Sequence, residues 1–145
     1  ATDISTRALE AAANAIYGEE RVAPIPEELR GRYLMRSKDP KKRLVRIVPE
    51  IRRLVRFKRL NFMEDFGFKE PLDVIFCRNV VIYFDKETQT RLFMRFCDLL
   101  MDRGYLFVGH SEALSGMGLP LDAVEPTIYR KSAAAFRGMP GSGKP

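Results

Sequence analysis

The chain has 145 residues, 46% of them hydrophobic and 30% charged, which suits a soluble globular domain and excludes a disordered or fibrous chain. Its formal net charge of +6 favours acidic partners, whether nucleic acid, anionic membrane or an acidic protein surface, without choosing among them. Two cysteines, Cys77 and Cys97, lie in apolar runs without metal spacing or a disulfide framework, so reduced thiols and a cytoplasmic location are expected. No apolar stretch is long enough for membrane insertion, and the N-terminus lacks a signal-peptide pattern.

In chain order, Ala1 to Ile4 reads as the tail of a strand ending near Asp3. Because the chain starts there and without a methionine, it is expected to be a piece of a longer protein. Ser5 is suited to cap a helix over residues 5–17, with Ile4 and Leu9 at staple positions and Gly18 as the stop. A loop with Pro24 and Pro26 follows, and "PEELRGRYL" reads as a short helix with Pro26 at its first position. Residues 36–59 form a basic block of eleven Lys or Arg against Asp39 and Glu50. Within it "RLVRIV" and "LVRFKRL" alternate basic and apolar residues, the period of half-buried strands, with "PEIRRL" between them as one helical turn.

"PLDVIFC" carries a continuous apolar run, as in a buried strand of a parallel sheet, and "VVIYF" is a second run just after it. Asp85 is suited to cap a long helix whose core face is Leu92, Phe93, Phe96, Leu99 and Leu100, ended by Arg103 and Gly104. "YLFVG" at 105–109 is another buried strand, and "AVEPTIYRK" closes the fold as one or two more. Strands alternating with helices give an α/β sheet, in which ligands bind beyond the carboxyl ends of the strands. That rule points to Asp3, to Asn61 and to the Arg78–Asn79 pair, which each follow a strand-like run.

The segments "ATDISTRALEAA", "RRLVRFKRLNF", "DVIFCRNVVIYFDKETQ", "GYLFVGHSEAL" and "IYRK" resemble the CheR-type chemotaxis receptor methyltransferases, in order and over nearly everything except the tail. "IFCRNVVIYFD" followed by "GHSE" is the specific pair. The resemblance implies an α/β, class I S-adenosylmethionine methyltransferase sheet of Rossmann-like type, incomplete at the N-terminus, with a small basic β-subdomain inserted. The corresponding domains are a catalytic part at 1–131, its insertion at 33–60, and a linker or tail at 132–145. S-adenosyl-L-methionine is the implied cofactor and methyl donor. Glutamate side chains on the cytoplasmic domains of chemoreceptors are the implied acceptors.

By the same resemblance Asp3 holds the ribose hydroxyls, a task a carboxylate does well as a double acceptor. Asn61 lies by the adenine, with Phe62 packing on the ring in place of the family's frequent leucine. Arg78 and Asn79 border the cofactor, and Tyr83 and Arg78 serve the reaction near the transferable methyl. Polar side chains at three strand tips are thus expected to converge on one adenosyl group. The family's first strand and glycine-rich loop precede "ATDIS", so activity is expected to need that segment. The loop "RSKDPKKR" lacks the glycine of receptor-peptide docking loops, which leaves peptide-independent recognition as the expectation.

Each residue also has a plainer reading. Asp3 could be only a helix-entry residue, Arg78 and Asn79 a polar strand end, and Tyr83 a core tyrosine with a bonded hydroxyl. Two further readings keep the fold: a non-catalytic interaction module, and a methyltransferase with another acceptor. The basic block by itself reads as a solvated face. No aromatic platform or reader motif accompanies it, so no nucleic-acid partner is expected. His110, the only histidine, has no metal partners, and "GHSE" reads as a loop that is structural first and substrate-lining second. "GMPGSGKP" at 138–145 has the glycine and lysine spacing of a phosphate-binding loop. Pro145 replaces its Ser or Thr, and no helix follows.

Overall fold

A computed structural model describes residues 1–112 and 114–133. The glycine-rich tail and its phosphate-loop spacing therefore lie outside the described residues. The chain divides into two compact units, Ala1–Phe66 and Gly67–Pro145.

In the first unit β1 (Thr2–Asp3) leads into α1 (Thr6–Asn14). Ser5 caps this helix as expected, its hydroxyl accepting the Ala8 N–H at 3.2 Å. The helix ends sooner than its apolar stripe suggests. Ala15 takes the left-handed conformation, φ 52°, and its N–H returns to the Ala11 carbonyl at 3.1 Å. Ala15 is 2% exposed. Gly18 is not the stop: it belongs to β2 (Ile16–Gly18).

β2 pairs antiparallel with β4 (Leu44–Ile47), and β4 with β3 (Leu34–Arg36), giving a small sheet of order β2-β4-β3. Val45 at its centre is 4% exposed, and the Arg46 side chain donates to the Asn14 carbonyl at 3.0 Å. Between β2 and β3 run α2 (Glu19–Val22) and α3 (Glu27–Tyr33), the latter entered through Pro26. α4 (Pro49–Arg52) is the expected single turn. Of "LVRFKRL" only β5 (Lys58–Arg59) is strand, and it pairs in parallel with β1 rather than with the small sheet.

In the second unit β6 (Leu72–Cys77) runs parallel to β7 (Leu100–Val108). An antiparallel pair, β8 (Leu121–Glu125) and β9 (Ile128–Lys131), completes a sheet of order β6-β7-β9-β8. The connection from β6 to β7 is α5 (Lys86–Leu99), the crossover helix that parallel strands require. Asp85 caps it, accepting the Thr88 N–H at 2.8 Å and its hydroxyl at 3.1 Å. Leu92, Phe93, Phe96 and Cys97 of α5 and Leu100, Leu106 and Val108 of β7 are all buried.

The helix stops at Leu99, not at Arg103 and Gly104, because Leu100 is already in register with Leu72 of β6. Gly104 lies within β7, where a Cβ would meet the Met101 carbonyl at 3.0 Å and the Asp73 carbonyl at 3.1 Å. Its bare backbone allows β7 to approach β6 there. The other face of this strand pair is open: Phe76 is 71% exposed and stacks on its register partner Phe107 at 4.6 Å.

Candidate functional site

Parallel pairing carries the tips of β1 and β5 to the same end. Asp3 is the last residue of β1, its carbonyl accepts the Leu60 N–H at 3.0 Å, and Asn61 follows directly. One oxygen of Asp3, Oδ1, accepts the Ser5 N–H at 2.8 Å, which orients the carboxylate at the helix entry. Oδ2 makes no hydrogen bond among the described residues. Asn61 turns its amide into its own loop: Oδ1 accepts the Met63 N–H at 3.0 Å and Nδ2 donates to Glu64 at 3.1 Å. An amide has four hydrogen-bonding sites, so one N–H and one lone pair are left over. Phe62 packs edge-on against the buried Phe66 at 6.0 Å.

Arg78 and Asn79 follow β6 directly, at the carboxyl end of the parallel pair β6–β7. The Arg78 side chain is exposed and makes no hydrogen bond or ion pair among the described residues. Asn79 sits at φ 59°, a left-handed conformation that asparagine tolerates better than most residues. The chain then enters a tight 3₁₀ turn, Val81–Tyr83, with Val81 fully buried and Tyr83 83% exposed. Tyr83 is therefore not the core tyrosine of the plainer reading: its ring is presented outward from a buried anchor.

That anchor has a feature that sequence reasoning missed. Glu112, 4% exposed, accepts three backbone N–H groups: Val80 at 3.1 Å, Val81 at 3.2 Å and Gly109 at 2.5 Å. It joins the loop after β6 to the loop after β7. From the other side Gln89 of α5 donates to the Val81 and Phe84 carbonyls, both at 2.9 Å. A carboxylate in "GHSE" directly after a strand was the only sequence signal; nothing in the helical pattern singles out Gln89. His110 beside them is exposed.

The electrostatics follow from burial. The Cys77 thiol at the end of β6 is pushed up to about 12, first by desolvation and then by the nearby Glu112 carboxylate. Cys97 is pushed up to about 11, chiefly by burial. Both thiols stay protonated near neutrality and are no nucleophiles. Among the described residues no group of three or more His, Cys, Asp or Glu could hold a metal ion. No helix among them is long and apolar enough to cross a membrane. A cleft of about 350 Å³ in the first unit is lined by other residues, among them Val22, Arg30, Leu34 and Arg36 of the small sheet and its helices.

The structure thus brings Asp3, Asn61 and Phe62 together in the first unit, and Arg78, Asn79 and Tyr83 together in the second. Within each unit they occupy the carboxyl end of a parallel strand pair, where α/β sheets bind ligands. An acceptor-only carboxylate with one uncommitted oxygen fits a ribose diol. In the second unit the exposed guanidinium and phenol supply hydrogen-bond donors.

Comparison with known proteins agrees with that chemistry. The chain is 42% identical over 130 residues to chemotaxis protein methyltransferase 2 of Pseudomonas aeruginosa, covering 89% of this chain and 46% of that protein. It is 39% identical over 133 residues to the chemotaxis protein methyltransferases of Borreliella burgdorferi and of Escherichia coli, in each case 91% of this chain and 46% of the relative. The chain therefore spans less than half the length of these relatives. Residues 1–129, which carry every strand-tip residue described above, match the CheR methyltransferase, SAM binding domain, and the chain belongs to that family.

Proposed function

We propose that the protein of which this chain forms part transfers the methyl group of S-adenosyl-L-methionine to glutamate side chains of chemotaxis receptors, giving glutamate methyl esters. The observation that carries the proposal is the match of residues 1–129 to a SAM binding domain whose relatives are named chemotaxis methyltransferases. Three features of the chain support it: a ribose-type carboxylate at the tip of β1, and an outward arginine and tyrosine beyond β6.

When bound, the cofactor supplies an activated methyl on a sulfonium. Asp3 accepts the ribose hydroxyls through Oδ2 while the Ser5 N–H holds Oδ1 in place. Asn61 offers the adenine edge its remaining N–H, and Phe62 gives an apolar wall. Arg78 and Asn79 border the cofactor. The acceptor glutamate is ionised at neutral pH, so no side chain has to remove a proton. What remains for the protein is alignment of the carboxylate oxygen with the methyl carbon, and such positioning accounts for a large share of a methyl-transfer barrier. Tyr83 orients the acceptor or the methyl through its hydroxyl, and Arg78 steers the receptor carboxylate.

The test is radiolabelled methyl transfer by the full-length protein to membranes carrying a chemoreceptor. Label released by mild base as methanol is the expected result, since carboxyl esters hydrolyse there. Base-stable label would point to a different acceptor, and bound cofactor without transfer would leave an interaction module.

A further inference from the structure

The loop from Asn79 to Phe84 is held at both its donors and its acceptors. Glu112 takes the N–H groups of Val80 and Val81 on Oε1 and of Gly109 on Oε2. Gln89 gives its amide protons to the carbonyls of Val81 and Phe84. The clamp therefore grips the one buried residue of the loop, Val81, at both ends of its peptide unit, and leaves Tyr83 projecting outward. Gly109 completes it. A Cβ there would lie 2.8 Å from Asn79 Oδ1 and 2.9 Å from Glu112 Oε2, so a larger residue would push both side-chain oxygens out of their present positions. A buried carboxyl group is costly unless hydrogen-bonded, and this one is spent on tying the loop that carries Arg78, Asn79 and Tyr83 to Gly109 after β7.

We propose that Glu112 and Gln89 are positioning residues for methyl transfer: neither touches cofactor or acceptor, and together they fix the Tyr83 turn in its reactive geometry. The inference rests on the function proposed above, since it assigns Tyr83 to the chemistry. Glu112→Gln keeps size but turns an N–H₂ toward one of the three donors, so one bond is lost and two donors oppose each other. Gln89→Met keeps length and helix propensity but removes both bonds to the turn.

The experiment uses the full-length protein and reads three things: amide hydrogen exchange, cofactor affinity by calorimetry, and kcat for receptor methylation. Each variant is also combined with Tyr83→Phe. We expect faster exchange at Val80, Val81 and Gly109 in Glu112→Gln, and at Phe84 in Gln89→Met. kcat should fall tenfold or more, with cofactor affinity changed about threefold or less. In the Tyr83→Phe background the further loss in kcat should largely vanish, because the clamp acts through that ring. Losses that simply multiply with that of Tyr83→Phe, or unchanged exchange and kcat in an active protein, would overturn the proposal. If Glu112→Gln does not fold, Gln89→Met gives the same reading from the helix side. A wild type that binds no cofactor or transfers no methyl would instead overturn the functional reading, and unaltered exchange in the variants would then remove the clamp as well.

Discussion

At the scale of single residues, the chemistry is set by which polar atoms are already committed. Asp3 has one oxygen tied to Ser5 and one open, whereas Asn61 has spent half of its amide on its own turn. On the proposed function, the carboxylate is therefore the stronger cofactor anchor of the two. Tyr83 is exposed and makes no hydrogen bond among the described residues, so its hydroxyl is available to substrate. Tyr83→Phe should lower kcat roughly tenfold or more, as expected for a lost hydrogen bond to charge, while cofactor affinity stays near wild type. Steady-state kinetics with calorimetry would check this, and an unchanged kcat would remove the hydroxyl from the chemistry.

The thiols make a separate prediction. Cys77, raised to about 12, favours its neutral form in the folded state, so its contribution to stability is fully present below the ordinary thiol value of 9.0. That contribution is lost progressively as pH rises from there toward about 12. Cys97 behaves alike up to about 11. At pH 8 neither thiol should react with iodoacetamide in the native protein, and both should react after unfolding. Rapid native labelling of Cys77 would contradict its burial.

At the scale of elements, α5 carries the core of the second unit. Phe93 and Leu106 are fully buried, and Phe93→Ala should cost about 3–5 kcal/mol by removing apolar contacts and leaving a void. Chemical denaturation would measure it, and a loss below about 1 kcal/mol would mean the helix is not packed as described. The N-cap of α5 is the pH-sensitive part. Hydrogen bonds from Thr88 hold the Asp85 carboxyl below its ordinary value of 3.8. Its contribution is present above that value and is lost as pH falls below it through the depressed folded-state pKa. Asp85→Ala should therefore lower Tm at pH 7, with the difference from wild type shrinking below pH 3.8. A difference independent of pH would argue against the charged cap.

The same elements show where sequence was informative. α5 is legible because a capping aspartate precedes an apolar stripe of helical period. Its end is not, because Leu99 and Leu100 continue the stripe while pairing with Leu72 pulls Leu100 into β7. β2 was illegible for the same reason. Three residues after an alanine-rich helix carry no period of their own, and the partner strand β4 lies far along the chain. Asp3, Asn61 and Arg78–Asn79 could be named as candidates because each follows a strand-like run within a segment that carries the family resemblance. Glu112 could not be given a role, because two of its three partners are in the loop after another strand.

At the scale of the whole molecule, family membership covers residues 1–129, while the relatives extend well beyond the stretch this chain matches. The basic character of the chain is also partly structural. Lys58 donates to the Phe66 carbonyl, Arg59 to that of Ile4 and Lys131 to that of Leu100, so these cations also brace the backbone. The account depends most on the strand-tip carboxylate meeting an adenosyl ribose. Its most direct test is calorimetric titration of S-adenosyl-L-methionine into the full-length protein and its Asp3→Ala variant. The account predicts one site per chain in the wild type and an affinity weakened roughly tenfold or more in the variant, as expected for loss of hydrogen bonds to a charged acceptor. Equal affinity in the two proteins, or no binding by the wild type, would contradict it.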